Sequence, residues 1–275
     1  MGAAPSKIVL RVITLVSCAL AIVIGLGRLI VVGDGVTRGQ ASGALLLVVA
    51  AGTYLAWIYL PDVDLPGRSP RRGRASPLGV TRVALTFDDG PNGDDTAAIL
   101  DALRDHGARA TFFVVGDAVR RHPELVRRMV AEGHEVGNHT DNHTKLAWLP
   151  ADEVGRQLDG ASEAIVNAGA PAPRWFRAPH GFKSPFLPRA LRDRGLRMVA
   201  WSHGVWDTDR PGADVIAERA IGCFSDGEIL LLHDGTVGAD RSQTAMALRS
   251  ILAAASSRGV LFVTIPEILS ASNVG

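Results

Sequence analysis

Two adjacent carboxylates, Asp88 and Asp89, stand directly after a short apolar run that ends at Phe87. The run over 83–87 is typical of a buried strand, and Gly-Pro follows the two acidic residues. Burying a carboxylate costs free energy unless a positive group lies beside it. We therefore expect other parts of the chain to place a metal ion, an arginine or both against this strand end.

A pair of histidines, His139 and His143, follows a second short apolar run over 135–137. Imidazoles four residues apart lie on one side of a helical turn, where both can bind one ion. Alone, such a pair is often a coincidental surface pair. Together with Asp89 it makes a set of two imidazoles and one carboxylate with open coordination positions, which suits a catalytic zinc or a similar divalent ion.

Arg177 follows two apolar aromatic residues in the segment Trp-Phe-Arg-Ala-Pro-His-Gly at 175–181. Its guanidinium could neutralise one of the two carboxylates and hold that carboxylate in a fixed orientation. The alternative is a surface arginine beside a turn, and this alternative would be preferred if the segment stood alone.

His233 follows four apolar residues, 229–232. On a strand, Leu231 and His233 share one face, because successive side chains point to opposite faces. We expect Leu231 to form an apolar wall of the site and His233 to donate a proton. One more polar segment follows a predicted strand and begins with Trp206 and Asp207.

Each of these polar segments lies next to an apolar run of strand length. Such runs recur at 83–87, 110–115, 135–137, 175–176, 197–201, 228–232 and 260–264. Helix-like segments lie between them, at 96–106, 123–132, 152–168, 188–194, 213–223 and 242–257. This alternation predicts a parallel α/β sheet. About seven repeats without a phosphate-binding glycine loop favour a closed or nearly closed barrel over a doubly wound sheet.

Residues 1–60 differ from the rest of the chain because they are mostly apolar. They predict a membrane anchor of two transmembrane helices, at about 8–32 and 43–60. A signal peptide is the alternative for the first of these runs. The Lys and Arg count favours a cytoplasmic position for both ends of the anchor, but a large folded domain can override such a count. The side of the membrane that the domain faces therefore stays open.

Residues 61–79 are rich in Pro and Arg and predict a solvated linker, so the predicted domain spans 80–275. The linker could also touch anionic lipid head groups. The formal net charge of +1 over 275 residues offers no electrostatic case for nucleic-acid binding. Two cysteines build neither a disulfide framework nor a cysteine-based zinc site. The expected partners are a carbohydrate and membrane lipid, with the oligomeric state left open.

Five motifs, in this order, resemble those of the NodB-type polysaccharide deacetylases, carbohydrate esterase family 4. They are Thr-Phe-Asp-Asp-Gly at 86–90, His-Thr-x-x-His at 139–143, Arg-x-Pro-x-Gly at 177–181, Trp-Asp at 206–207 and Leu-x-His at 231–233. The resemblance covers about 80–270 and implies a distorted (β/α) barrel of about seven strands. It also implies an N-deacetylase that acts on acetamido sugars through one divalent metal ion, with zinc preferred over cobalt, manganese or nickel.

The resemblance also implies separate roles for the two carboxylates. Asp88 matches the general base of the family, and Arg177 matches the arginine that pairs with this base. The metal ligands of the family match Asp89, His139 and His143.

Five more residues are carried over from the family motifs. His233 matches the general acid, and Asp207 would orient it. Leu231 matches an apolar wall near the acetyl methyl group. Two departures affect the substrate groove: His180 stands where many members have Tyr, and Trp206 precedes the aspartate of the fourth motif instead of following it.

The predicted function is therefore metal-dependent removal of N-acetyl groups from a cell-envelope polysaccharide, either peptidoglycan or a chitin-like polymer, by a membrane-anchored hydrolase. One alternative is deacylation of a lipid-linked sugar at the membrane surface. Another is a catalytically inactive carbohydrate-binding module, which the presence of every expected catalytic residue disfavours.

Overall fold

The computed structural model describes residues 38–59, 69–76, 79–235 and 240–270. The chain forms two compact units, Met1–Val63 and Asp64–Gly275. In the first unit, helix α1 spans Arg38–Tyr59, which confirms a helix over the second predicted apolar segment. No helix in the described part of the chain has the length and apolar composition needed to cross a membrane, so α1 does not support the predicted transmembrane span at 43–60. The predicted span at 8–32 lies outside the described residues.

The described residues of the second unit form eight parallel strands. They are β1 (Arg82–Asp88), β2 (Thr111–Val114), β3 (Glu135–Asn138), β4 (Trp175–Phe176), β5 (Arg197–Met198), β6 (His203–Gly204), β7 (Glu228–His233) and β8 (Leu261–Val263). All seven predicted strands are present. The predicted run 197–201 is a strand only at its first two residues, which form β5. Strand β6 was not predicted, because a strand of two residues carries no periodicity.

Eight helices accompany these strands in the described part of the second unit. They are α2 (Gly93–Asp105), α3 (Gly116–Arg121), α4 (Pro123–Ala131), α5 (Ala151–Asn167), α6 (Leu187–Asp193), α7 (Ala213–Gly222), α8 (Ser242–Arg258) and α9 (Ile265–Leu269). Six of them match predicted helices to within about one turn. The two that sequence reasoning missed, α3 and α9, are one or two turns long and therefore carry a weak periodic signal.

The strands follow the order β5-β4-β3-β2-β1-β7-β6, with β8 paired to β1. Strand β7 covers one edge of β1 over Val83–Asp88. The other edge of β1 is shared: β8 pairs with its first half and β2 with its second half. Because β5 and β6 stand at opposite ends of this order, the sheet is a curled, partly open version of the predicted distorted (β/α) barrel.

Both faces of β1 are buried, which explains why its sequence is a continuous apolar run rather than an alternating one. Val83, Leu85 and Phe87 pack in the core between the sheet and the surrounding helices. Ala84 points to the opposite face, where it packs with residues of the barrel interior. Because the side chains alternate, the last residue of β1, Asp88, lies on this interior face.

Residues 69–76 belong to the folded domain, although the sequence predicts them to be part of a solvated linker. Arg72 forms an isolated antiparallel bridge with Glu228. The Gly73 amide donates to the Gly227 carbonyl at 2.7 Å, and the Arg74 amide donates to a carbonyl of α9 at 3.0 Å. The domain therefore begins before the predicted boundary at residue 80, because these backbone groups find partners on the sheet that local sequence does not reveal.

Candidate active site

Asp88, at the end of β1, is paired with Arg177, which follows β4. Arg177 Nη1 donates to Asp88 Oδ1 at 2.9 Å, and both side chains are at least 95% buried. A charge-assisted hydrogen bond of this kind compensates for burying the carboxylate. Arg177 thus lies against one carboxylate of the adjacent pair, and that carboxylate is Asp88.

Three further contacts hold the Arg177 guanidinium in position. Nη1 also donates to Thr86 Oγ1 at 2.7 Å, and Nη2 donates to the Ala200 carbonyl at 3.0 Å. The guanidinium carbon lies 4.2 Å from the centre of the Phe113 ring, a cation–π arrangement. Because contacts on several sides restrict the guanidinium, the orientation of Asp88 is restricted as well.

Asp89, His139 and His143 form the second group of the site. Asp89 Oδ1 lies 3.3 Å from His139 Nε2 and 3.0 Å from His143 Nε2. One ligand atom from each residue falls within 4.8 Å of the other two. Two imidazole nitrogens and one carboxylate oxygen that converge in this way suit a divalent cation such as zinc and leave further coordination positions for water or substrate.

The protonation states in this group also suit a metal. His139 Nδ1 lies 2.8 Å from the Arg177 carbonyl oxygen, which can only accept, so Nδ1 carries the proton and Nε2 is left as the ligand atom. Burial would raise the pKa of Asp89, but hydrogen bonds to His139 and His143 hold it well below its ordinary value. Asp89 is therefore an ionised ligand, and the three residues fit the predicted metal site.

The helical turn predicted for His139 and His143 is wrong. The two residues lie on an irregular loop after β3, and their rings approach to 5.1 Å between centres because the backbone reverses at Thr140 and His143, with φ values of 71° and 58°. Asp89 has a similar left-handed backbone, with φ of 77°. Left-handed φ is uncommon outside glycine and is often found at functional sites, where the surrounding structure maintains it.

His233, at the end of β7, is the residue registered with Asp88 across the β1–β7 pair. Its Nδ1 lies 2.8 Å from Asp207 Oδ1, and its backbone amide donates to Asp207 Oδ2 at 2.8 Å. Thr244 Oγ1 donates to the same Oδ2 at 2.9 Å. Since the carboxylate accepts, His233 Nδ1 is the donor, and Nε2 is left for the substrate.

The charge on His233 is set by the carboxylates around it. Burial lowers the pKa of this imidazole, but Asp207, with smaller contributions from Asp89 and Asp88, raises it to about 9. Asp207 itself keeps a pKa below the ordinary value because His233 outweighs the effect of burial. His233 is thus protonated at neutral pH and able to donate a proton from Nε2.

The remaining predicted residues lie around this group. The His180 ring is 4.8 Å from the His143 ring. The residue keeps part of its surface exposed, and the partial burial of its ring, with the nearby His143, lowers the pKa of His180 to about 4. Leu231 is buried on the same face of β7 as His233 and is registered with Thr86. Trp206 is 46% exposed beside Asp207.

Sequence reasoning missed three residues that support the site, namely Thr86, Thr244 and Asp234. Thr86 has a sequence signal, because it precedes Asp88 by two residues and therefore shares its face of β1. Asp234 is buried, accepts a hydrogen bond from Thr96 Oγ1 at 2.7 Å and has a pKa raised by burial to about 7. Thr244 and Asp234 have no such signal, because their partners are distant in the sequence.

Comparison with known proteins identifies the family to which the chain belongs. A family model described as "Polysaccharide deacetylase" matches residues 76–199. The chitooligosaccharide deacetylase of Sinorhizobium fredii is 40% identical over 217 residues, covering 76% of this chain and 99% of the relative. A peptidoglycan-N-acetylglucosamine deacetylase of Bacillus cereus is 38% identical over 193 residues, covering 68% of this chain and 87% of the relative.

A solved structure agrees with these relatives. The family 4 carbohydrate esterase from Streptomyces lividans, in complex with acetate, is similar with a TM-score of 0.61 and 31% identity, covering 66% of this chain and 91% of that chain. The chain therefore belongs to the NodB-type polysaccharide deacetylase family, carbohydrate esterase family 4, and is an enzyme of the hydrolase class.

Proposed function

We propose that the protein removes N-acetyl groups from acetamido sugars of a cell-envelope polysaccharide, with one divalent metal ion bound by Asp89, His139 and His143. The observation that carries this proposal is that Asp88, paired with Arg177, and His233, paired with Asp207, are registered on neighbouring strands beside the metal-ligand group. A base and an acid on two sides of one reacting carbonyl are what amide hydrolysis requires.

In the proposed mechanism, Asp88 accepts a proton from the attacking water. Arg177 pairs with Asp88 Oδ1 and leaves the other oxygen, Oδ2, facing the metal-ligand group, where His139 Nε2 lies 3.8 Å away. When bound, the divalent ion would polarise the acetamide carbonyl and make a nearby water more acidic. The water oxygen then forms the new bond to the carbonyl carbon.

His233 completes the reaction by protonating the leaving amine. As the C–N bond breaks, the nitrogen takes the proton from His233 Nε2, and the products are acetate and a free amino sugar. Asp207 stabilises the protonated imidazole and restrains its rotation through two hydrogen bonds. A positioned acid of this type contributes about 10²–10⁴-fold to the rate.

The substrate class follows from the site and the relatives together. We assign Leu231, which is buried on the same face of β7 as His233, to the acetyl methyl group, and the exposed residues Trp206 and His180 to contacts with sugar rings. Relatives named for chitooligosaccharides and for peptidoglycan N-acetylglucosamine support an N-acetylhexosamine as the reacting unit. Zinc is the proposed ion because two imidazoles and one carboxylate suit it.

Membrane attachment is also a proposal, and it rests on the apolar composition of residues 8–32. It favours a substrate close to the membrane, either a wall polymer or the lipid-linked sugar of the alternative hypothesis. A reporter fused after Gly275 reads out the side on which the domain lies. A cytoplasmic reporter would argue against polymeric peptidoglycan and in favour of the lipid-linked sugar.

The proposed activity is tested by incubating the purified full chain with N-acetylglucosamine oligomers and with peptidoglycan, each with zinc and with chelator. We expect acetate and free amine in equal amounts with zinc, and neither product with chelator. Asp88→Asn is the matched control because it keeps the three metal ligands. Release of acetate at the wild-type rate by Asp88→Asn would overturn the assignment of the base, and no release from any acetamido sugar would overturn the activity.

A further inference from the structure

The sheet changes partners in the four residues between β5 and β6. The Val199 amide donates to the Phe176 carbonyl on the β4 side at 2.9 Å, whereas the Ser202 amide donates to the Ile229 carbonyl on the β7 side at 3.0 Å. Ala200 and Trp201 lie between these two hydrogen bonds. They form a seam in the barrel, where strand pairing by itself does not hold the backbone.

Residues 69–76, which we call the seam segment, hold the backbone at this point. The Ala200 amide donates to the Pro70 carbonyl at 3.0 Å. Arg71 Nε donates to the Trp201 carbonyl at 3.1 Å. Two consecutive residues of the seam segment thus contact the two residues at which the sheet changes partners.

The seam segment is itself held on the start of β7. Arg72 forms an ion pair with the buried Glu228, with which it also forms the antiparallel bridge. The Gly73 amide donates to the Gly227 carbonyl at 2.7 Å. The segment therefore has a fixed position relative to β7, the strand that carries His233.

The residues at the seam are also the support of Arg177. The Ala200 carbonyl accepts from Arg177 Nη2 at 3.0 Å, and the Trp201 ring centre is 5.6 Å from the guanidinium carbon. Arg177 Nη1 in turn donates to Asp88. A continuous path of contacts therefore leads from Arg71 through Trp201 and Ala200 to the proposed base.

We propose that the seam segment is a positioning element for the catalytic base, with Arg71 acting through Trp201 and Ala200 on Arg177 and so on Asp88. The inference rests on the proposed function, because Asp88 is the base only in that reaction. The physical reason is that small misplacement of a reacting group lowers the rate strongly while substrate binding by other groups is retained. The effect of Arg71 should therefore fall on kcat rather than on KM.

The first test compares Arg71→Ala with the wild type in the full chain. Loss of one hydrogen bond that orients the base should lower kcat by about three- to tenfold, with KM and metal content unchanged. Arg71→Lys, which keeps a donor on a long side chain, should recover most of the loss. Arg74→Ala is the matched control, because this exposed side chain carries the same charge in the same segment.

The second test is a double-mutant cycle with Arg177→Lys, measured both in kcat and in urea unfolding. A lysine lacks the planar fork that contacts Asp88 and Ala200 through separate nitrogens, so Arg71→Ala should have no further effect on kcat in this background. Gly73→Ala disturbs the seam segment in a different way and should also lower kcat. A Cβ at this position would collide with the Ile268 side chain and lie 2.7 Å from the Ile268 carbonyl oxygen, so the segment would have to shift relative to α9.

The outcomes separate this inference from the proposed function. An unchanged kcat in Arg71→Ala would overturn the positioning role. A loss of kcat that is fully additive with the loss in Arg177→Lys would overturn it as well, because additivity marks a merely structural contact that does not act through Arg177. If the wild type releases no acetate, the proposed function fails and the positioning of a base fails with it, whereas the unfolding cycle still tests the path of contacts from Arg71 to Arg177. Coupling between Arg71 and Arg177 in unfolding would support the path of contacts, and its absence would refute it.

Discussion

The backbone carbonyl of Arg177 accepts a hydrogen bond from His139 Nδ1 at 2.8 Å, while the side chain of Arg177 donates to Asp88 at 2.9 Å. One residue thus orients both a proposed metal ligand and the proposed base, through chemically independent groups. The backbone contact survives any substitution of the side chain that leaves the fold intact. The two functions can therefore be separated by mutation.

Replacing Arg177 with Met should lower kcat by at least about 100-fold but leave metal content near that of the wild type. It should also lower the free energy of unfolding by about 3–5 kcal/mol, because Asp88 stays buried without its partner. Metal analysis, kinetics and urea unfolding measure the three effects. Arg174→Met, at an exposed position before β4, is the control, and equal loss of metal in both variants would contradict the separation.

Replacing Asp88 with Asn should lower kcat by about 10²–10⁴-fold with metal retained, because the base is lost while the ligands remain. His139→Ala should lose both metal and activity. Metal content measured after gel filtration, beside acetate release, distinguishes the two variants. His106→Ala at an exposed position is the control for loss of an imidazole. Retention of stoichiometric metal by His139→Ala would contradict the ligand assignment.

Adding a divalent ion should raise the melting temperature of the wild type, because binding to the folded state alone stabilises that state. At a metal concentration of 100 times Kd, the gain in free energy is about 2.7 kcal/mol. The shift should be absent in His143→Ala and in Asp89→Asn. Thermal unfolding with and without zinc measures this shift in melting temperature. An equal shift in the wild type and in both variants would place the metal elsewhere.

Replacing Asp207 with Asn should move the alkaline limb of the kcat/KM profile to lower pH. The reaction needs protonated His233, so activity falls as pH rises through the pKa of this residue, which Asp207 helps to raise to about 9. Removing the negative charge lowers this pKa, and the acid is lost at a lower pH. Asp209→Asn, on the same turn but exposed, should leave the limb in place. An unmoved limb in Asp207→Asn would mean that another group donates the proton.

Replacing Gly90 with Ala should destabilise the domain by about 1–3 kcal/mol, because a Cβ at Gly90 would overlap the carboxyl group of Asp234. Asp234 is fully buried and held by Thr96, so it cannot move aside freely. Urea unfolding measures the change. Gly222→Ala, where the added Cβ has nothing within 4 Å, is the control and should be neutral or slightly stabilising. Equal stability of the two variants would show that the turn after Asp89 can shift.

The sequence determined the chemical groups of the site and the class of fold. Asp88, Asp89 and His233 could be found because each follows an apolar run, and parallel strands bring their carboxyl ends to one edge. Strand–helix alternation predicted the barrel, because a strand that is buried on both faces, such as β1, appears in the sequence as a continuous apolar run.

Tertiary structure decided the features that depend on distant contacts. The approach of His139 to His143 comes from left-handed backbone at Thr140 and His143, not from a helix. The folded state of residues 69–76 depends on partners such as Trp201, 130 residues away from Arg71. Composition alone makes this segment resemble a linker. Its hydrogen bonds use backbone groups and the side chains of two arginines, and local sequence does not show where either kind of group pairs, so only the packed sheet reveals the partners.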